Sequence, residues 1–272
     1  MLGSLEESLG IRIDLYSSLI CWALIFTRIF VMLILNPFLG SRAVPGRART
    51  AAAIAISLLI YPAVVPPILD SFPDDPSILF GLFFKEVFFG MTIGLVTVMT
   101  FYALEAAGKI VDHQGGAGNA QLFVPQLGEV SIFGLFNFWL AIAFFISIGG
   151  HQQFLKAFLM SFETVPLLTV PDIAPGFSPF LDYMVRLSGD TLIIATQLAA
   201  PVLIAVLLVD LVLGLANKMA PQINVFELGF VLRGIARPLL LYICLLVIIS
   251  QMDLVMKAMI KSVYDLTSLF AR

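Results

Sequence analysis

Four carboxylates stand where a carboxylate is expensive. Glu86, Glu105, Asp210 and Asp253 all fall inside long apolar runs, and an ionised acid at membrane depth costs about 3 kcal/mol on insertion scales unless it faces protein or water. Acids in such places serve proton relays, ion paths or interhelical ion pairs. At about 100° per residue on an α-helix, Glu86, Gly90, Gly94, Thr97, Glu105, Gly108 and Asp112 share one narrow sector of a single segment. Gly90 and Gly94 form a G-x-x-x-G pair, which lets a second backbone approach closely. The face is small and polar, so it either lines a conduit or packs, with its acids meeting Lys or Arg on neighbouring helices; packing is the favoured reading. Asp210, Gly214 and Asn217 repeat the pattern on a later segment.

Enzyme chemistry finds little support. His113 and His151 are the only histidines, so there is no H-E-x-x-H metal helix, and neither has a second ligand at helical spacing. No G-x-S-x-G nucleophile elbow occurs. Ser188-Gly189-Asp190 follows a leucine and does not complete the G-x-G-D pattern, and Gly115-Gly116-Ala117-Gly118 lacks the G-K-[ST] ending of a phosphate loop. Neither catalysis nor a metal or cofactor is expected.

The elements that position these residues are membrane helices. The chain of 272 residues is 60% hydrophobic and 12% charged, with a mean hydropathy of +1.03, more apolar surface than a water-soluble core can hide. Its net charge of -3 argues against nucleic acid or a polybasic surface anchor as the basis of binding. Cys21 and Cys244 lie in apolar runs and read as small buried hydrophobes without a disulfide framework. Glu6, Glu7 and Asp14 precede a first run too long for a secretory leader, so that run reads as a retained transmembrane helix.

Six segments are expected, forming one membrane-embedded domain over 1–272. The first covers about 13 to 35 and stops at Asn36-Pro37. The second covers about 50 to 69, broken by Pro62, Pro66 and Pro67. The third, about 78 to 111, would run about 50 Å as a helix, beyond a hydrocarbon core of about 30 Å. A polar, Gly-rich stretch from Asp112 to Glu129 precedes a fourth span at about 131 to 149, with His151 to Phe162 either continuing it or lying at the interface. Pro166, Pro171, Pro175 and Pro179 exclude a regular helix over 164 to 180. A fifth segment covers about 187 to 217 with a kink at Pro201, and a sixth covers about 226 to 260 with a bend at Pro238.

Pro221-Gln222-Ile223-Asn224 between the last two segments reads as a tight turn, its polar side chains satisfying backbone groups that the proline frees. Arg42, Arg47 and Arg49 place the first loop in the cytoplasm, and Asp70, Asp74 and Asp75 place the next outside. Simple alternation then carries Lys257, Lys261 and Arg272 outside, against the same rule. Either the long third segment breaks the parity or these helices do not cross a bilayer in the ordinary way.

In order and spacing, these residues resemble the export-gate family that contains the flagellar protein FliR and its injectisome counterpart SctT. The match begins at Asn36-Pro37-Phe38 and Ser41-Arg42-Ala43-Val44-Pro45-Gly46-Arg47. It continues through Glu86-x-x-x-Gly90-x-x-x-Gly94, Glu105-x-x-Gly108, Asp112-x-x-Gly115-Gly116, then His151, Ser161-Phe162 and Pro166. Pro201, Asp210, Gly214 and Pro221-Gln222-Ile223-Asn224-Val225-Phe226 complete it. Asp112-His113-Gln114-Gly115-Gly116 and Asp210-Leu211-Val212-Leu213-Gly214-Leu215 are closer to the injectisome branch. Gly115 stands where that branch often carries an arginine, so charge-dependent roles do not transfer to it.

The resemblance implies an all-α polytopic subunit of the core export gate of a bacterial type III secretion system, in the inner membrane. Its partners would be the P/R-type and Q/S-type membrane subunits and the U/B-type switch protein, and its cargo unfolded polypeptides. Glu86, Gly90, Gly94, Glu105, Asp210, Gly214, Pro221, Gln222, Asn224 and Phe226 would serve packing and assembly. The stretch with Gly115, Gly116, Gly118, Asn119, Gln121 and Pro125 would form the plug of the closed conduit, a role that glycine's backbone freedom suits. The competing reading is a proton-coupled secondary transporter, because broken apolar helices with buried acids occur there too; no internal repeat is evident in support of it.

Overall fold

The computed structural model describes residues 15–39, 44–65, 72–73, 76–114, 131–169, 173–220, 222 and 224–269. Among these the chain is mostly helical, with no strand. Seven helices run in order: α1 (Leu15–Leu35), α2 (Gly46–Val64), α3 (Pro76–Gln114), α4 (Ile132–Ser147), α5 (Gly150–Thr164), α6 (Ile173–Met219) and α7 (Val225–Ser268). Five are long and apolar enough to cross a membrane, and the bent pair α4–α5 makes a sixth if it acts as one span. The chain is a multi-pass α-helical membrane protein.

Two compact units divide it. The first takes Met1–Val98, Leu155–Phe180 and Val263–Arg272; the second takes Met99–Phe154 and Leu181–Ser262. Helices α3, α5, α6 and α7 each contribute to both.

In the first unit, α1 buries Cys21, Leu24, Ile25, Arg28, Ile29 and Met32, the three- and four-residue spacing of one helical face. Trp22, Phe26 and Phe30 stack at four-residue intervals, with centroids 5.6 and 5.3 Å apart, and the Trp22 indole donates to Ser57 Oγ on α2 at 3.0 Å. Asn36 ends α1 because its buried Oδ1 accepts from the backbone N–H of Phe38 at 3.1 Å, an Asx turn across the Asn-Pro step. The opening half of α3 buries Leu82, Glu86, Phe89 and Ile93.

In the second unit, Phe101 of α3 meets Phe138 of α4 at 6.4 Å and Phe145 at 5.6 Å, edge-on as aromatic quadrupoles prefer. Between α4 and α5 the chain bends by 76° at Gly149, whose φ of 71° is left-handed backbone that favours glycine. His151–Phe162 thus belongs to a separate helix.

Two proline expectations are corrected. Helix α2 runs through Pro62 and ends at Val64, because a proline in the last turn removes only one backbone bond. Helix α6 already begins at Ile173 and runs unbroken to Met219, through Pro175, Pro179 and Pro201. Pro175 is its third residue, where the N–H has no acceptor within the helix in any case.

Candidate functional site

Arg28 is fully buried in the middle of α1. Its register places it on the packed face, and its guanidinium grips Glu86 of α3 with two donors, Nε to Oε2 and Nη2 to Oε1. That fork-to-fork pairing is the strongest geometry available to an arginine and a carboxylate. The remaining donors reach the end of α5 and the turn after it: Nη1 to the Ser161 carbonyl at 2.9 Å and Nη2 to that of Val165 at 3.0 Å. The guanidinium also lies over the Phe162 ring, 4.3 Å from its centroid.

Lys85, beside Glu86 in sequence, completes the cluster. Its ammonium donates to the carbonyls of Pro166 and Leu167 at 2.7 Å and of Thr169 at 3.1 Å, and pairs with Glu86 Oε1 at 2.9 Å. Two cations thus share one carboxylate, and the excess positive charge faces five backbone carbonyls at and just beyond the end of α5. A helix C-terminus presents unpaired carbonyls and a partial negative charge, so it is a suitable place for that excess.

Gly90 and Gly94 bring the two helices close enough for the grip. A Cβ on Gly90 would lie 2.5 Å from the Arg28 carbonyl oxygen, and one on Gly94 would lie 2.7 Å from Leu35 Cβ. The G-x-x-x-G pair therefore packs α3 on α1 of the same chain. Glu86 likewise finds its cations within its own chain. Reasoning from sequence missed Arg28 and Lys85. A lone arginine in the first apolar run was the available signal, because a charge there demands a counter-charge.

The other candidate residues are less enclosed. Glu105 is buried and pairs with Lys109 one turn on, at 3.1 Å. Asp210 of α6 accepts from Arg233 Nε of α7 at 2.6 Å, with both side chains about one-third exposed. Among the described residues, nothing lies within 4 Å of where a Cβ on Gly214 would stand. Asp253 pairs with Lys257 on the surface at 2.7 Å. Gln222 and Asn224 are exposed, and Asn224 caps α7 through contacts of 3.4 Å with Glu227, three residues on. Phe226 lies in the first turn of α7, its side chain outside the described residues, as is Pro221 altogether. Gly115, Gly116, Gly118, Asn119, Gln121 and Pro125 also lie outside the described residues.

Among the described residues, no three His, Cys, Asp or Glu side chains converge as metal ligands. What the geometry does is neutralise charge inside one unit while the longest helices keep apolar residues bare, which defines a polytopic membrane protein built on packed ion pairs. The sequence profile of the family described as "Bacterial export proteins, family 1" matches residues 19–259, and the chain belongs to that family. It is similar to the flagellar biosynthetic protein FliR of Bacillus subtilis (strain 168), 30% identical over 261 residues, covering 94% of this chain and 97% of that one. Similar too is the Yop proteins translocation protein T of Yersinia pestis, 33% identical over 229 residues, covering 83% and 85%. The surface presentation of antigens protein SpaR of Shigella flexneri is 28% identical over 170 residues, covering 61% and 63%.

Proposed function

We propose that this protein is a structural, non-catalytic subunit of the core export gate of a bacterial type III secretion system, multi-pass in the inner membrane. Relatives by name in flagellar biosynthesis and in Yop translocation support an export-apparatus role, and none supports the carrier reading. The observation that carries the structural part is the bare apolar length of α6 and α7. With 47 and 44 residues, they would measure about 70 and 66 Å if straight, against a hydrocarbon core of about 30 Å. On α6 alone Val185, Leu192, Leu207, Val212 and Met219 are all more than half exposed, a stretch of about 50 Å along the helix. Lipid covers only the part within the bilayer, so the remainder calls for other subunits.

Those subunits are the P/R-type and Q/S-type membrane proteins and the U/B-type switch protein, and the conduit they close is for unfolded polypeptides. The chain acts as one membrane-embedded domain over 1–272. On the sequence reading, residues 115 to 129 provide its constriction. Glu105, Asp210, Gly214 and the 221–226 turn serve assembly, and Glu86, Gly90 and Gly94 serve packing within the subunit. Flagellar and injectisome relatives are similar at 30% and 33% identity, so the preference for the injectisome branch rests on the motifs around Asp112 and Asp210.

Purification from membranes with and without co-expressed small gate subunits tests the reading. A gate subunit is recovered as a stable particle only with its partners. A chain that is stable alone and binds a small solute would be a carrier.

A further inference from the structure

Asp112 is almost completely buried in the last turn of α3, and its carboxylate is shared among three elements of the second unit. One oxygen, Oδ2, accepts from Ser131 Oγ at 2.6 Å and from the backbone N–H of Phe133 at 2.9 Å. Ser131 is the N-cap of α4 and in turn accepts from the Gly134 N–H at 3.0 Å. Between them the two side chains satisfy first-turn donors of α4 that have no partner within the helix, and the acid's charge faces the positive end of that helix. The other oxygen, Oδ1, lies 3.7 Å from Arg237 Nη1 of α7. The Arg237 guanidinium also stands over the Phe133 ring, 6.0 Å from its centroid.

Two further contacts reinforce this junction. A Cβ on Gly108, one turn before Asp112, would overlap the backbone of Phe133, so α3 and α4 touch backbone to backbone just where the carboxylate bridges them. Arg237 Nε donates to the Arg233 carbonyl at 3.1 Å, and Arg233 holds Asp210 of α6. A line of contacts therefore runs from Asp210 through Arg233 and Arg237 to Asp112.

We infer that Asp112 is a positioning residue of the export gate, a pin that joins the end of α3, the start of α4 and the flank of α7. It holds the end of α3 and the start of α4, on either side of residues 115–130, together by bonds outside that stretch. The packing alternative, a buried acid merely neutralised by the nearest arginine, would leave its second oxygen free of the α4 backbone. Here that oxygen is committed to α4 and the arginine stands farther off. The inference rests on the export-gate reading for its consequence in secretion and not for the pin itself.

The test uses the full chain in its assembled complex, with both native cysteines replaced and spin labels placed on Gln114 and Ile132. Both positions are exposed and flank the junction. Asp112→Ala is expected to lengthen and broaden the 114–132 distance distribution, with Asp112→Asn intermediate because an amide still accepts one bond. Arg237→Gln should leave the distance nearly unchanged, since it spares both bonds to α4. Secretion should fall several-fold in Asp112→Ala and be partly restored in Asp112→Glu. An unchanged distance in Asp112→Ala overturns the pin. A changed distance with normal secretion keeps the pin and rejects its role in export. Should Asp112→Ala fail to accumulate, Ser131→Ala supplies the same measurement with one bond removed, and an unaltered distribution there also overturns the inference.

Discussion

Arg28–Glu86 and Arg233–Asp210 are both arginine–carboxylate pairs between helices, one in each unit, yet their surroundings differ. The first is sealed, with neither side chain exposed, and is bidentate and backed by Lys85 and backbone carbonyls. The second holds through one short bond and is about one-third open on each side. The glycines beside the two pairs differ likewise: Gly90, one turn from Glu86, presses against α1, whereas Gly214, one turn from Asp210, meets nothing among the described residues within 4 Å of where a Cβ would stand. The Arg28–Glu86–Lys85 cluster of the first unit is closed within the chain. In the second, α6 and α7 offer a surface whose natural cover is lipid and other subunits.

The largest effect should come from the sealed pair. Glu86→Gln leaves two buried cations without their carboxylate, and breaking a buried pair in this way costs about 3–5 kcal/mol. Loss of the chain from membranes and faster proteolysis of the purified complex would record it. The triple change Arg28→Met, Lys85→Met, Glu86→Leu removes all the charge and should recover much of that loss, because apolar replacement of a buried cluster is often neutral. If Glu86→Gln costs no more than Asp210→Asn, the contrast between the units is wrong.

Gly90→Val comes next. It forces α3 off the Arg28 carbonyl, and overpacking of this kind costs about 1–3 kcal/mol; thermal unfolding of the complex in detergent measures it. Asp210→Asn should change the stability of the chain by less than about 1 kcal/mol, since its pair is partly solvated. A much larger loss of recovered complex would show that a partner seals this pair too.

The smallest change sharpens the comparison most. Gly214→Ala meets no atom of the described residues within 4 Å and should favour α6 by up to about 1 kcal/mol through helix propensity. Thermal unfolding of the assembled complex in detergent would register the gain. If the same substitution abolishes assembly with the small gate subunits, another backbone must pack against Gly214.

Membership of the all-α polytopic class, the approximate segments and the importance of the acids were determined by the sequence itself. The physical reason is that desolvation acts along the chain. A run of apolar residues must leave water wherever it packs, and an acid within it must find a partner. The Asn36-Pro37 stop and the break before Val225 were legible for a similar reason, since turn chemistry is local. Tertiary structure alone decided which partners the acids find. Arg28 and Glu86 are separated by 58 residues, and they meet because α1 and α3 share one register, with Gly90 leaving room one turn away. The five carbonyls that receive Arg28 and Lys85 carry no signal in side-chain identity, because every residue has a carbonyl and only the fold brings these five to the cations. The helix start at Ile173 escaped the sequence reading because what Pro175 costs depends on whether its missing N–H would have been used, and that is settled by where the helix begins; Pro179, seventh in the helix, forgoes one internal bond and is accommodated nonetheless.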